Sequence, residues 1–245
     1  MFFGISILIN YKYTVFFMDL FCFRLRGVDS PTFIFHFLNM FQQNIFNVVR
    51  HGSVLTGKAN DNRGGTAITI HDGAVITNPY SAGLYIPQDG TVIVLGGTIT
   101  GKSSGIALKS GALNISGGII RATGEYKAPT EGQSNGVNAS GAAIQLESNS
   151  DYIGNIAVGI TGGSFISEKG YSLYEYLGKG EETQVKSISV SNGEFIGAIN
   201  TSQALAAVKK LTISGGQFTY DPATMLRPGI LPRPSATTLA TLKLA

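Results

Sequence analysis

The feature that most narrows the fold of this chain is a turn glycine that returns six times with apolar residues at fixed distances from it. The glycines are Gly73, Gly97, Gly118, Gly163, Gly193 and Gly216, seen in fuller form as LGGTI, SGGII, TGGSF, SNGEF and SGGQF. Two residues after each stand Val75, Ile99, Ile120, Phe165, Phe195 and Phe218. Three before stand Ile70, Val94, Ile115, Ile160, Val190 and Ile213, and five before stand Ile68, Val92, Leu113, Val158, Ile188 and Leu211. Residues between them are mostly small or polar, as at Thr69, Asn114, Ser189 and Thr212. Alternation with a period of two is the mark of a strand with one buried face. The glycine then lets the backbone turn a corner at φ values that other residues resist.

A second strand starts at once with the x-Ile/Phe-x step. A third element, G-x-x-[IL], lies upstream at Gly83–Ile86, Gly105–Leu108, Gly141–Ile144 and Gly170–Leu173. Three short strands per unit, with corners between, predict an all-β chain built as a single-stranded parallel β-helix over residues 51–226. Successive turn glycines lie 24, 21, 45, 30 and 23 residues apart, so the basic unit is 21 to 24 residues and the longer gaps carry insertions. About six coils at roughly 4.8 Å each predict a solenoid near 30 Å tall.

Composition sets a boundary near residue 51. Residues 1–50 hold 11 of the 14 Phe but only Gly4 and Gly27 of the 32 Gly. Lys12, Asp19 and Arg24 interrupt the apolar start, well short of the roughly 20 apolar residues a spanning helix needs, so no transmembrane span is expected. Neither a basic region before this stretch nor a small-residue cleavage site after it supports a signal peptide. Ser30 and Pro31 can open a helix in which Ile34, Phe37, Leu38, Phe41, Ile45, Val48 and Val49 share a face. That spacing predicts a cap helix over 30–49, covering the open end of the array. The alternative is that residues 1–50 and the Pro-rich tail 227–245, expected to be poorly ordered, are foreign to the array. The lone Cys22 excludes an intramolecular disulfide and any multi-Cys metal site.

Chemistry is sparse. A net charge of +3, with 13% charged residues, points to no nucleic-acid partner. Residues 96–103, GGTITGKS, satisfy the phosphate-loop string, but that loop works at the start of a helix. Here SSGIALKSGAL follows, which predicts another strand, so no nucleotide is expected. Of His36, His51 and His71, only His71 has an acidic neighbour, Asp72, and the pair reads as solvated on an outward strand position. No catalytic residue, cofactor or metal ligand is assigned.

The insertions are Glu125–Ala139, Glu147–Asn155 and Tyr174–Gln184. The last two occupy equivalent points on consecutive units and should lie side by side as projecting loops. They bring Tyr152, Tyr174 and Tyr176 together with Glu147, Asp151, Glu175, Glu181 and Glu182. Rings pack on the apolar faces of sugars while carboxylates accept hydroxyl hydrogen bonds. Clustered carboxylates can also hold calcium, and surface charge needs no functional reason at all. The ligand-binding set read from these loops is Glu147, Asp151, Tyr152, Tyr174, Glu175 and Tyr176.

The run GGTITGKSSGIALKSGALNISGGIIRATG, with ITGGSFISEKGYSLYEY and ISGGQFTYDPATML, resembles Gly-rich repeat proteins of gut-type bacteria. The likeness covers about residues 64–226. It implies the right-handed parallel β-helix of the pectate-lyase-like superfamily and a surface or secreted location. Gly215 to Met225 match the segment that closes such arrays. The lyases of that superfamily use calcium-binding Asp residues and a basic residue in one groove. Here Arg121 is the only Arg between Arg63 and Arg227 and Asp is rare, so no catalytic residue carries over. The resemblance therefore favours a non-catalytic extracellular scaffold for adhesion or glycan binding, with a polysaccharide or cell-surface glycan as partner. A polysaccharide-degrading enzyme using Glu147, Asp151 and Glu175, and a ligand-free piece of a longer surface protein, are the alternatives. Isothermal titration with ATP and magnesium is expected to give no binding heat; measurable heat would restore the phosphate loop.

Overall fold

A computed structural model describes residues 66–129, 139–201 and 211–222, and otherwise only short strand segments. In chain order the strands are β1 (Gly4–Tyr11), β2 (Thr14–Phe21), β3 (Ile45–Asn47), β4 (Val54–Leu55), β5 (Thr66–Ile70), β6 (Val75–Asn78) and β7 (Leu84–Ile86). They continue with β8 (Gly90–Val94), β9 (Thr98–Gly101), β10 (Ser104–Leu108), β11 (Gly111–Ile115), β12 (Ile119–Ala122), β13 (Ala142–Asn149) and β14 (Ile156–Ile160). The last are β15 (Ser164–Lys179), β16 (Val185–Val190), β17 (Glu194–Asn200), β18 (Leu211–Ile213), β19 (Gln217–Phe218), β20 (Pro232–Arg233) and β21 (Lys243–Leu244). Strands β1 and β2 pair antiparallel within a compact unit of their own, Met1–Pro31, and β20 pairs antiparallel with β21. Every other pair among the described strands is parallel, and no helix occurs among the described residues.

One sheet runs β18-β16-β14-β11-β8-β5. Its register links Ile70, Val94, Ile115, Ile160, Val190 and Ile213 in one unbroken line of paired residues. Ile68, Val92, Leu113, Val158, Ile188 and Leu211 form a second line beside it. All twelve are buried in a single apolar cluster. The columns expected from the repeat are therefore real neighbours.

A second, eleven-stranded sheet carries the other two strands of each unit. Its two halves, β3-β6-β9-β12 and β13-β10-β7-β4, are joined through β15, a sixteen-residue strand that pairs β12 with Ser164–Ile166 and β13 with Leu173–Lys179. Phe165, Phe195 and Phe218 pair across β15, β17 and β19, and their rings stack with centroids 4.7 and 4.8 Å apart. That spacing is the interstrand distance itself, so each ring rests on the one above without leaving its strand.

Three details depart from the sequence reading. The first turn is one residue longer than the rest, because the Ala74 carbonyl accepts from Thr98 as the Gly97 carbonyl accepts from Ile119, both at 2.8 Å. Ile76, not Val75, consequently pairs with Ile99 and fills the core, while Val75 is half-buried. In that turn His71 already lies past β5, its carbonyl accepting from Ala74, rather than on an outward strand position. In the third element, Gly141 and Gly105 are not equivalent, since Ile106 pairs with Ile144 and Leu108 with Leu146. A slip of two keeps the same face inward, which is why it is silent in the hydrophobic pattern. Of the segment 30–49 expected as a cap helix, only Ile45–Asn47 are described, and there the backbone is strand β3, paired parallel to β6. Pairing with a neighbouring strand satisfies those amides in place of helical bonds. The rest of that segment, together with Cys22, His36, His51 and most of the tail, lies outside the described residues.

All six turn glycines have positive φ, from 80° at Gly73 to 125° at Gly216. At Gly118 a Cβ would also meet the Gly96 carbonyl oxygen at 2.8 Å. Glycine is thus required twice over, by conformation and by the stacking of turn on turn. Ile160→Ala, at the centre of its column, is expected to cost about 2–5 kcal/mol. Asn114→Ala, outward on the same sheet, should stay within about 0.5 kcal/mol. Denaturant midpoints of the two variants check this; equal losses would mean the column is not the stabilising unit.

Candidate functional site

The two insertions singled out in the sequence do lie side by side, but as strands. Gln145 pairs with Tyr174, Leu146 with Glu175, Glu147 with Tyr176 and Ser148 with Leu177. Residues Glu147–Asn149 and Tyr174–Lys179, expected in projecting loops, extend β13 and β15. Backbone pairing carries on past the apolar stretch because the polar side chains find partners in one another.

Lys109, just past β10, is the cation of this network. Leu108 pairs with Leu146 in the core, so Lys109 comes level with Glu147 on the opposite face. Its Nζ lies 2.9 Å from Glu147 Oε1, and neither side chain is exposed at all. The same Oε1 accepts from Asn149 Nδ2 at 2.8 Å, and Oε2 accepts from the Tyr176 hydroxyl at 2.6 Å. Gln145 Nε2 donates to that hydroxyl at 3.3 Å, while its Oε1 accepts from Ser140 at 2.5 Å. A charge taken out of water is tolerated only when paired and hydrogen-bonded on its remaining sites, as Glu147 is here.

The turn after β13 closes over this group. Lys109 Nζ sits 4.5 Å from the centroid of the Tyr152 ring, whose hydroxyl bonds Tyr85 at 2.9 Å. Gln184, just before β16, holds the turn: its Nε2 donates to the Tyr152 carbonyl at 2.7 Å and its Oε1 accepts from Asn149 N at 2.7 Å. Glu175 continues the column Ile86–Leu108–Leu146 and is buried, with Thr183 Oγ1 donating to it at 3.2 Å. Asp151 is part-exposed and holds Lys179 at 2.8 Å through both carboxylate oxygens.

The aromatic part of the site has a different origin. The register of β15 against β17 shifts between Tyr171 and Leu173. This irregularity brings Tyr171 onto the face of Tyr174 and Tyr176, as a bulge does when it re-aims a side chain. Ser172 fixes it by donating to the Gly197 and Ala198 carbonyls at 2.9 and 3.2 Å. Tyr171 stacks on Tyr174 at 5.0 Å and Tyr174 on Tyr176 at 5.4 Å. Tyr126 meets Tyr171 and Tyr174 edge-on at 5.0 and 5.7 Å. Burial holds the Tyr174 phenol well above its ordinary range, helped by the Tyr126 hydroxyl and the charges of neighbouring phenols and Glu175.

Of the six residues read as ligand-binding, Glu147, Tyr152, Tyr174 and Glu175 are buried, and only Asp151 and Tyr176 are part-exposed. Lys109, Asn149, Tyr126 and Tyr171 were missed. The signal for Lys109 was present: it follows an apolar column residue directly, but aligning Gly105 with Gly141 sets it against Gln145 instead of Glu147. Of the insertion Glu125–Ala139, residues 130–138 lie outside the described residues. Elsewhere, the GGTITGKS string runs through strand β9 and is followed at once by strand β10, so the turn opens no helix. Among the described residues no group of three or more His, Cys, Asp or Glu is placed to hold a metal ion, and no helix is long and apolar enough to cross a membrane. No protein-family model, curated protein or solved structure matches the chain.

Because the folded state raises the Tyr174 phenol, its stabilisation is whole below the ordinary phenol value and is lost as pH rises from there toward the raised one. Alkaline absorbance titration of the native protein and of Tyr174→Phe is expected to give equal phenolate signal in the ordinary tyrosine range. A deficit of one phenolate in the variant would show that Tyr174 titrates freely.

Proposed function

We propose that residues 51–226 form a right-handed single-stranded parallel β-helix of the pectate-lyase-like kind, a non-catalytic extracellular scaffold that offers a tyrosine edge to a polysaccharide or cell-surface glycan. The helix reading is supported by register lines in which each strand pairs with its counterpart one repeat later. Parallel crossovers of this sort are almost always right-handed. The extracellular setting is supported by the resemblance of the repeat to bacterial surface proteins.

The observation that carries glycan binding is the tyrosine group. Tyr171 and Tyr176 flank Tyr174 in the stack and are half-buried, and Tyr126 is 41% exposed beside them. Rings already fixed by their neighbours lose little freedom on meeting a ligand, and their faces suit the apolar side of a sugar ring. The neighbouring carboxylates speak for binding over cleavage. Glycoside hydrolysis needs two carboxyl groups reaching the scissile bond. Glu147 and Glu175 are buried among internal partners, and Asp151 is held by Lys179.

On a glycan array, the combined Tyr126→Ala and Tyr176→Ala variant is expected to weaken any captured glycan about tenfold or more, the loss of roughly 1.4 kcal/mol. Unchanged capture would remove the tyrosine edge from the reading. Release of reducing ends from any polysaccharide would overturn its non-catalytic part.

A further inference from the structure

Lys109 carries a primary amine with no solvent exposure, and it shares its carboxylate partner with the side-chain amide of Asn149. Its Nζ and the Nδ2 of Asn149 both bond one oxygen, Glu147 Oε1, at 2.9 and 2.8 Å. Asn149 is itself fully buried. Its side-chain carbonyl oxygen, Oδ1, accepts from the backbone N–H of Asp151 at 3.0 Å. A nucleophile, a shared carboxylate, an amide electrophile and a donor on the carbonyl oxygen are thus assembled in one closed place. An ion pair alone accounts for the Lys109–Glu147 contact, but it does not need an amide whose nitrogen and oxygen are both held in this way.

We propose that Lys109 and Asn149 join autocatalytically in an intramolecular isopeptide bond, with Glu147 as the proton carrier. Lys109 passes one proton to Glu147, which removes both charges from a site closed to bulk solvent. The neutral amine adds to Cγ of Asn149, and the charge that grows on Oδ1 meets the Asp151 N–H, a fixed donor already in position. Glu147 hands its proton to Nδ2, the Cγ–Nδ2 bond breaks and ammonia leaves. The remaining extra proton on the new amide nitrogen passes to the vacated carboxylate. Nothing is oxidised or reduced, and no co-reactant is required. The acceleration comes from holding amine and amide in one orientation, and the Tyr152 ring, 4.5 Å from Nζ, helps to cover them.

The bond ties the end of β10 to the end of β13, the pair between which the insertion Glu125–Ala139 is carried. It would lock that long connection into a closed covalent loop and fix the register at the point where the repeat spacing is most irregular. Cross-links of this kind act chiefly by restricting the unfolded chain. The proposal is independent of glycan binding.

Intact-mass spectrometry of the full chain is the direct test. The expected mass lies about 17 Da below that of the sequence, the ammonia released. Trypsin should fail to cut after Lys109, and a branched peptide should join Lys109 to Asn149. Glu147→Gln and Asn149→Ala should each restore the full mass and the tryptic cut. The wild-type mass decides the matter even if neither variant folds. Full sequence mass with normal cleavage after Lys109 overturns the proposal. So does a loss of about 18 Da with Lys109 joined to Glu147, or a loss of ammonia mapped to any other residue.

Discussion

Everything described here depends on parallel strands meeting in register at the interstrand spacing, so that each side chain rests on its counterpart one repeat away. The constraint acts on both faces. Inward, it stacks Ile70 through Ile213 into one line and lays Phe165, Phe195 and Phe218 ring on ring. At the corners, it lays turn on turn so closely that only glycine fits, as at Gly118 over Gly96. Outward, it forces residues of unlike sequence position to share a site whether or not they have complementary chemistry.

The polar site is a product of that forcing. Lys109 and Glu147 stand 38 residues apart, yet the pairing of β10 with β13 sets them level. Once level, opposite charges are an asset only if water is replaced completely by partners. Asn149, Tyr176, Tyr152 and Gln184 supply them, and all four come from the two insertions or the strands those insertions extend. The insertions therefore do not merely project; they fold back along the sheet and seal its outer face. The tyrosine stack arises from the same accommodation, because the bulge at Ser172 that absorbs an irregular spacing also aligns Tyr171 with Tyr174 and Tyr176.

Much of the fold is legible in the repeat. Two of the apolar columns came out residue for residue, because period-two alternation and a fixed turn leave one register that keeps every aliphatic side chain inside. Two misreadings come from taking the glycines as alignment marks. Val75 and Ile76 are both apolar, so the extra residue in the first turn passes unnoticed, and the shift of two between Gly105 and Gly141 leaves the buried face unchanged. The second of these errors hid the partner of Lys109. In the candidate site, the adjacency of Glu147 and Tyr176 was legible, whereas their burial was not, since charged residues are ordinarily outside.

The sequence by itself determined the all-β character of the described residues, the unit length, the inward columns and the glycine turns. These follow from local alternation and from backbone angles that only one residue type tolerates readily. Tertiary structure alone decided which outward residues face one another, which carboxylates lose their water and which tyrosines stack. Those outcomes depend on register between strands dozens of residues apart, and on turns that cover the sheet. No local pattern encodes a distance between chain segments that meet only after folding.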